Sequence, residues 1–303
     1  MPKVKPAAPT TRDPIDQLDL RPGQSIELLK ALHILTRECK INHDSRRKLK
    51  QVKHLFQFIE KPLTDMLTQR LAQGSTVPIT LADHGAGKSY LGFIIHDLFF
   101  KPQQQLHGRS VGQVFGIETR AELVAASQQV AQQLGFAPGM QFVNASVSQA
   151  TADQRLPDSV DMVTALHACD TATDDAIAFG LAKRAKYMAL VPCCQAELAA
   201  CLRQDKALQL ARTPLAELWR HPLHTREMGS QITNVMRCLY LESQGYQVTV
   251  TELVGWEHSM KNELILAHHT GQRKHSARER LQALMAELGL QAWGEKRFPV
   301  DQA

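Results

Sequence analysis

The chain has 303 residues, 44% of them hydrophobic, with 35 Lys and Arg against 30 Asp and Glu and a formal net charge of +5. This is enough for one full α/β domain with additions and a true core, and the charge permits nucleic-acid binding without demanding it. The six Cys have no secretory spacing, no N-terminal stretch resembles a signal peptide and no run is long enough to span a bilayer, so a reducing, cytoplasmic setting is expected.

Residues 1–24 mix Pro, Thr and charge without periodicity and read as a loosely held leader. From about 42 to 73 the pattern is helical: Leu49, Val52, Phe56 and Ile59 recur at spacings of three and four, and Gly74 closes the segment. The opposite face carries Arg46, Arg47, Lys50, Lys53 and His54. Strand and helix signals then alternate. Strands are predicted at 77–82, 114–118, 141–145, 160–166 and 187–191. Helices are predicted from 89 to about 100, after 118 with Leu123, Ala126, Val130 and Leu134 on one side, over 174–184, and from about 232 to 244 with Gly245 as the stop. Strands at 247–253 and 263–268 are joined by too few residues for a crossover helix and suit an antiparallel edge hairpin. A terminal amphipathic helix is predicted over 276–288. The fold class is therefore α/β: a mostly parallel seven-stranded sheet covered by helices on both faces, preceded by a helical extension. The expected units are 1–74, 75–270 and 271–303.

The richest segment is Thr80-Leu81-Ala82-Asp83-His84-Gly85-Ala86-Gly87-Lys88-Ser89, where a strand turns into a helix. Two chemistries compete for it. Ala82, Gly87, Lys88 and Ser89 meet the broad form of a Walker phosphate loop, in which magnesium-bound nucleotide would sit on backbone N–H groups. Asp83, Gly85 and Gly87 meet the acid-x-Gly-x-Gly form of an S-adenosylmethionine loop. An acid beside a phosphate is unfavourable, whereas S-adenosylmethionine is cationic at its sulfur and amino group, so Asp83 is better explained by the methyl donor. Glu118, at the end of the second strand, stands where an acid accepts hydrogen bonds from ribose hydroxyls.

Ligands of open α/β sheets bind at the carboxyl ends of the strands. There the sequence places Asp83 to Lys88, then Glu118, then Asn144, Ala145 and Ser146 near an expected adenine. His167, Cys169 and Asp170 follow on the fourth strand and Cys193 and Cys194 on the fifth. The stretch Leu166-His167-Ala168-Cys169-Asp170-Thr171-Ala172-Thr173-Asp174 resembles a Lys-His-Leu-Cys-Gly-x-Ala-Thr-Asp segment of one methyltransferase family. That family includes the tRNA acceptor-stem 2′-O-methyltransferase and the glutathione S-transferase C-terminal domain-containing protein. Cys193-Cys194 is similar to the start of a Cys-Cys-His-His-Arg-Cys segment there, and Glu257-His258-Ser259-Met260-Lys261-Asn262 resembles a Glu-His-Thr-Pro-Lys-Asn pattern of bacterial relatives. The chain departs from the family at Asp170, where a Gly is usual, and at Gln195-Ala196-Glu197-Leu198.

The resemblance implies a Rossmann-like class I methyltransferase acting on RNA, tRNA or rRNA. Donor contacts fall to Asp83, Gly85, Gly87, Lys88, Glu118, Asn144, Ala145 and His167. His167, Asp170, Asp174, Cys193 and Cys194 should face the acceptor. Each of these has a plainer alternative. His167 serves as a proton acceptor or only bonds backbone; Asp170 and Asp174 position substrate or cap a helix. The cysteines are nucleophiles, zinc ligands with His167, or small packing residues, and packing is favoured because adjacent Cys suit one tetrahedral ion poorly. The basic helix neutralises phosphates or is a solvated face. A phosphate-loop NTP-binding protein and a non-catalytic RNA-binding protein on the same fold are the competing classes.

Overall fold

The computed structural model describes residues 20–168, 170–192, 196–204, 214–253 and 263–299. Most of the expected leader, the late 257–262 segment, Cys169, Cys193 and Cys194 lie outside the described residues. The end of the leader is fixed: Arg21 donates to both carboxylate oxygens of Glu60 at 2.9 Å and lies over the Phe56 ring at 4.7 Å.

In chain order the elements are α1 (Ile26–Ala31), α2 (His43–Ala72), β1 (Ile79–His84), α3 (Tyr90–Ile95), a π-helical turn (His96–Phe100), α4 (Lys101–His107), β2 (Gly112–Glu118), α5 (Ala121–Gln133), β3 (Met140–Asn144), α6 (Val147–Ala152), β4 (Met162–Ala168), α7 (Ala172–Ala182), β5 (Tyr187–Pro192), α8 (Glu197–Gln204), a 3-10 turn (Pro214–Trp219), α9 (Pro222–Ser243), β6 (Tyr246–Glu252), β7 (Glu263–His269), α10 (His275–Glu287) and α11 (Gln291–Arg297). The strands form one sheet in the order β3-β2-β1-β4-β5-β7-β6. The first five are parallel, and β7 runs antiparallel to both β5 and β6, as the edge hairpin required. The order reverses between β1 and β4, which is where such a sheet opens its ligand crevice.

Each sheet face carries its own apolar layer. On one side Ile79, Leu81, Val114, Met162 and Leu264 meet α1, α2 and α3 through Leu28, Phe56, Ile59, Leu63 and Phe93. On the other, Ala82, Phe115, Ile117, Val163 and Ala165 meet α7, α9, α10 and α11 through Ile177, Phe179, Met236, Leu281 and Phe298. The N-terminal helices thus belong to the same core as the sheet. In α2 the buried stripe of Leu49, Val52, Phe56 and Ile59 is the one its periodicity predicts. In α5 the stripe is turned by one residue, to Val124, Ser127 and Ala131, because these small side chains let the helix lie close to β2 and β3. Among the described residues, no helix is long and apolar enough to cross a membrane.

Candidate active site

The turn after β1 is built by two left-handed glycines. Gly85 has φ +65° and Gly87 φ +58°, conformations that a Cβ disfavours. Gly85 is exposed, and no atom lies within 4 Å of where its Cβ would stand, so the loop has an open side for a ligand to approach. The loop's N–H groups, however, point inward. Ala86 N–H donates to Ile117 O at 3.0 Å, Ser89 N–H to Ala86 O at 2.7 Å, and Gly87 N–H to Glu118 Oε2 at 2.8 Å. A phosphate nest needs these donors free, and here a carboxylate already holds one of them. Ser89 is fully buried, so its hydroxyl is not offered to a metal ion. Lys88 is exposed and lines a separate cavity of about 390 Å³ with Leu32, Phe93 and Leu123, between α1, α3 and α5. The Walker reading of this segment is therefore set aside; Lys88, expected among the donor contacts, lines this cavity.

Asp83 is 2% exposed and accepts the Thr164 hydroxyl at 2.8 Å. Burial pushes its carboxyl up to about 6, opposed chiefly by the hydrogen bond from Thr164. Asp83, expected among the donor contacts, ties β1 to β4 beneath the loop through Thr164. Next to it His84 is also buried, with neither ring nitrogen hydrogen-bonded and its ring centroid 6.0 Å from that of Phe179.

Glu118 closes β2 with a crowded carboxylate. Oε1 accepts from Thr119 Oγ1 at 3.2 Å, Arg120 N at 3.1 Å and Arg120 Nε at 3.0 Å; Oε2 accepts from Gly87 N and from Arg120 Nη2 at 3.1 Å. Burial works to raise this carboxyl, but the Arg120 and Gly87 hydrogen bonds outweigh it and hold it at about 2. Asn144 Nδ2 donates to Glu118 O at 3.0 Å and Thr119 O at 2.8 Å, and Ala145 N–H to Glu118 O at 3.2 Å. Asn144 and Ala145 therefore fix the acid's backbone from the neighbouring strand. An ionised carboxylate beside an open glycine turn fits a ligand with paired hydroxyls and a nearby positive charge.

The β4 end is irregular. The register with β5 shifts between Leu166 and Ala168, leaving His167 as the extra residue at the rim. Asp170 has φ +53°, which explains why the resembled family favours Gly there. Its Oδ1 accepts the N–H groups of Ala196 and Glu197 at 3.2 Å each, at the start of α8, and its carbonyl accepts Arg237 Nη2 at 2.9 Å. Asp174 is not a cap: α7 begins at Ala172, and Asp174 lies in its first turn. It is buried, with Oδ1 2.5 Å from Nε of the fully buried Arg237. Burial raises its carboxyl, opposed by Arg237. Asp174 is thus held inside the protein by Arg237, while the half-buried Asp170 ties the turn after β4 to the start of α8.

Four residues in this arrangement carry no sequence expectation: His84, Arg120, Thr164 and Arg237. Arg237 had a legible signal, a single cation in the otherwise apolar run Val235-Met236-Arg237-Cys238-Leu239, where an unpaired charge would be costly. Arg120 follows the strand-terminal acid by two residues, a spacing at which the two side chains can meet.

The basic part of α2 stands at this same rim. His54 Nδ1–H donates to Leu253 O at 2.7 Å, just past the end of β6, which runs parallel to β5. The other end of α2 is at the opposite edge, where Arg70 Nη2 is 2.6 Å from Asp161 Oδ1, just before β4. Ile41, Arg46, Leu49, Lys50, Lys53 and Gln57 line a cleft of about 310 Å³ beside His54. Residues 43–54 hold five Lys or Arg and one Asp, a local excess of four against a whole-chain net charge of +5.

The family model of a methyltransferase domain matches residues 47–201, just over half of the chain. No curated protein matches the sequence. Among solved structures, the O-methyltransferase from Bacillus cereus in complex with SAH is similar over 84% of this chain and 94% of its own, at 10% identity and a TM-score of 0.49. The magnesium protoporphyrin IX methyltransferase from Synechocystis PCC 6803 with bound SAH is similar over 76% and 89%, at 13% identity and a TM-score of 0.38. An rRNA methylase from Streptococcus thermophilus is similar over 63% and 87%, at 8% identity and a TM-score of 0.35.

Proposed function

The chain belongs to the methyltransferase-domain family and is an S-adenosylmethionine-dependent methyltransferase, and from that premise we propose that its substrate is RNA, tRNA or rRNA. The observation that carries this reading is the basic stretch of α2, which reaches the carboxyl rim of the sheet where His54 meets the chain just past β6. Cationic side chains there neutralise backbone phosphates and hold an RNA strand against the rim.

In this reading the open side of Gly85 and Gly87 takes the donor, and Glu118 accepts its ribose hydroxyls. Asn144 and Ala145 keep that acid in place. When bound, the donor supplies an electrophilic methyl group on sulfur. The acceptor oxygen or nitrogen must be aligned with it and must lose its proton. His167, on the rim beside the donor loop, is assigned that proton. Asp83, Asp170 and Asp174 hold the surrounding backbone and act through it.

The test is calorimetric titration with S-adenosylmethionine and, separately, with ATP plus magnesium, followed by transfer of labelled methyl to purified tRNA and rRNA. The expected result is donor binding that is lost in Glu118→Ala, no binding of ATP, and label in an RNA fraction. Donor binding with no label in any RNA fraction would remove the RNA substrate and leave the family reading standing.

A further inference from the structure

Glu118 accepts five hydrogen bonds, and a carboxylate has about four lone-pair directions to offer. Three of the five donors are tied to backbone or to the adjacent side chain: Gly87 N, Arg120 N and Thr119 Oγ1. The remaining two, Nε and Nη2, come from the one long side chain in the set. The Arg120 side chain is 59% exposed while that of Glu118 is 7% exposed, so the cation is the partner able to leave. Its Nη2 also lies 3.9 Å from where a Cβ of Gly87 would stand, so the guanidinium extends over the glycine turn as well as the acid.

We propose that Arg120 is a displaceable plug of the donor site: it holds Glu118 until two ribose hydroxyls exchange for its two N–H groups. This rests on the reading of Glu118 as the ribose acceptor. The exchange is matched in number and kind, because a guanidinium edge and a vicinal diol both present two donors to one carboxylate. Glu118 therefore never becomes a buried, unpaired charge during loading, and Arg120 swings into solvent. The plug makes donor affinity depend on salt with an unusual sign. Ionic screening weakens the exposed pair, so the site opens more readily as salt rises.

S-adenosylhomocysteine is the suitable probe, since it lacks the sulfonium charge and its own attraction to the protein is less screened. Its affinity is measured by calorimetry at about 50 and about 300 mM salt for the intact protein, Arg120→Gln and Glu118→Gln. Arg120→Gln should bind about fivefold more tightly than the intact protein at low salt. The intact protein should gain affinity with salt, Arg120→Gln should not, and Glu118→Gln should bind poorly throughout. Weaker or unchanged binding in Arg120→Gln, with Glu118→Gln still defective, overturns the plug and leaves the donor site standing. Undiminished binding in Glu118→Gln overturns the donor-site assignment and the plug with it. A merely structural Arg120 would lower thermal stability without reversing the salt dependence.

Discussion

His84 places an imidazole against Phe179 in the interior of the sheet, with neither nitrogen hydrogen-bonded. Burial lowers its pKa to about 4, the nearby Glu118 acting weakly the other way, whereas an unfolded chain protonates near 6.5. Between those values the unfolded state binds the proton and the folded state does not. The stability linked to His84 is thus full above about pH 6.5 and is lost as pH falls toward 4, a swing of a few kcal/mol. His96, lowered to about 4 by burial and by Lys101, adds a share of the same sign, whereas Asp83, raised to about 6, opposes both. The informative comparison is therefore between variants. His84→Leu should be at least as stable as the parent at pH 7.5, since it removes an unsatisfied polar group, and should lose less stability between pH 6.5 and 4.5 in urea titrations. Parallel losses in the two proteins would show that His84 does not titrate differently on folding. At this scale the sequence was partly legible. Asp83 and Glu118 stood out by type and position, but whether a carboxylate faces a ligand or a Thr hydroxyl depends on a neighbour 81 residues away.

Among the elements, a buried polar contact joins α7 to α9 behind the β4 end. Arg237 donates to Asp174, to Asn234 Oδ1 at 2.9 Å and to the Asp170 carbonyl, and Asn234 in turn donates to Glu263 of β7 at 2.7 Å. One buried cation thereby fixes the turn after β4, the first turn of α7 and the edge hairpin. Arg237→Met should cost about 3–5 kcal/mol, because it strands Asp174, while Asp174→Asn with Arg237→Met should recover much of that loss. Chemical denaturation of the single and double variants decides it, and a double variant as unstable as the single one would argue against the pair as the cause. The elements themselves were mostly readable, because periodicity is local. The short helices α1, α6, α8 and α11 carry no sequence expectation, and α9, predicted from about 232, starts at Pro222. Its first ten residues bury only Thr225 and Gly229, and Gly229 packs against the backbone of Ala199 in α8, where a Cβ would stand 3.1 Å from its N. Close packing of small residues gives no apolar stripe to read.

At the level of the whole molecule, the sheet order and the placement of α2 decide what meets at the rim. Composition predicted a weakly basic chain, but not that most of the excess charge stands on one helix at the carboxyl edge. If that stretch binds RNA backbone, affinity should fall steeply with salt, and Arg46→Gln with Lys50→Gln should flatten the log–log slope by about 1–2. Filter binding across a salt series measures this, and an unchanged slope would place the RNA elsewhere. The family resemblance read from the rim segments foresaw the methyltransferase class, but a motif carries no information about which distant helix completes the surface.

The length of α2 then becomes a measure. Sixteen residues separate His54 from Arg70, about 24 Å of helix, and the six residues of β1 span about 20 Å. The helix uses that portion to cross the depth of the sheet. The eleven residues before His54 amount to about 16 Å more, carried past the point where helix and rim meet. On the RNA reading proposed above, the helix is a built-in ruler: the number of turns between His54 and the cations would set how far along a strand the gripped phosphates lie from the nucleotide presented for methylation.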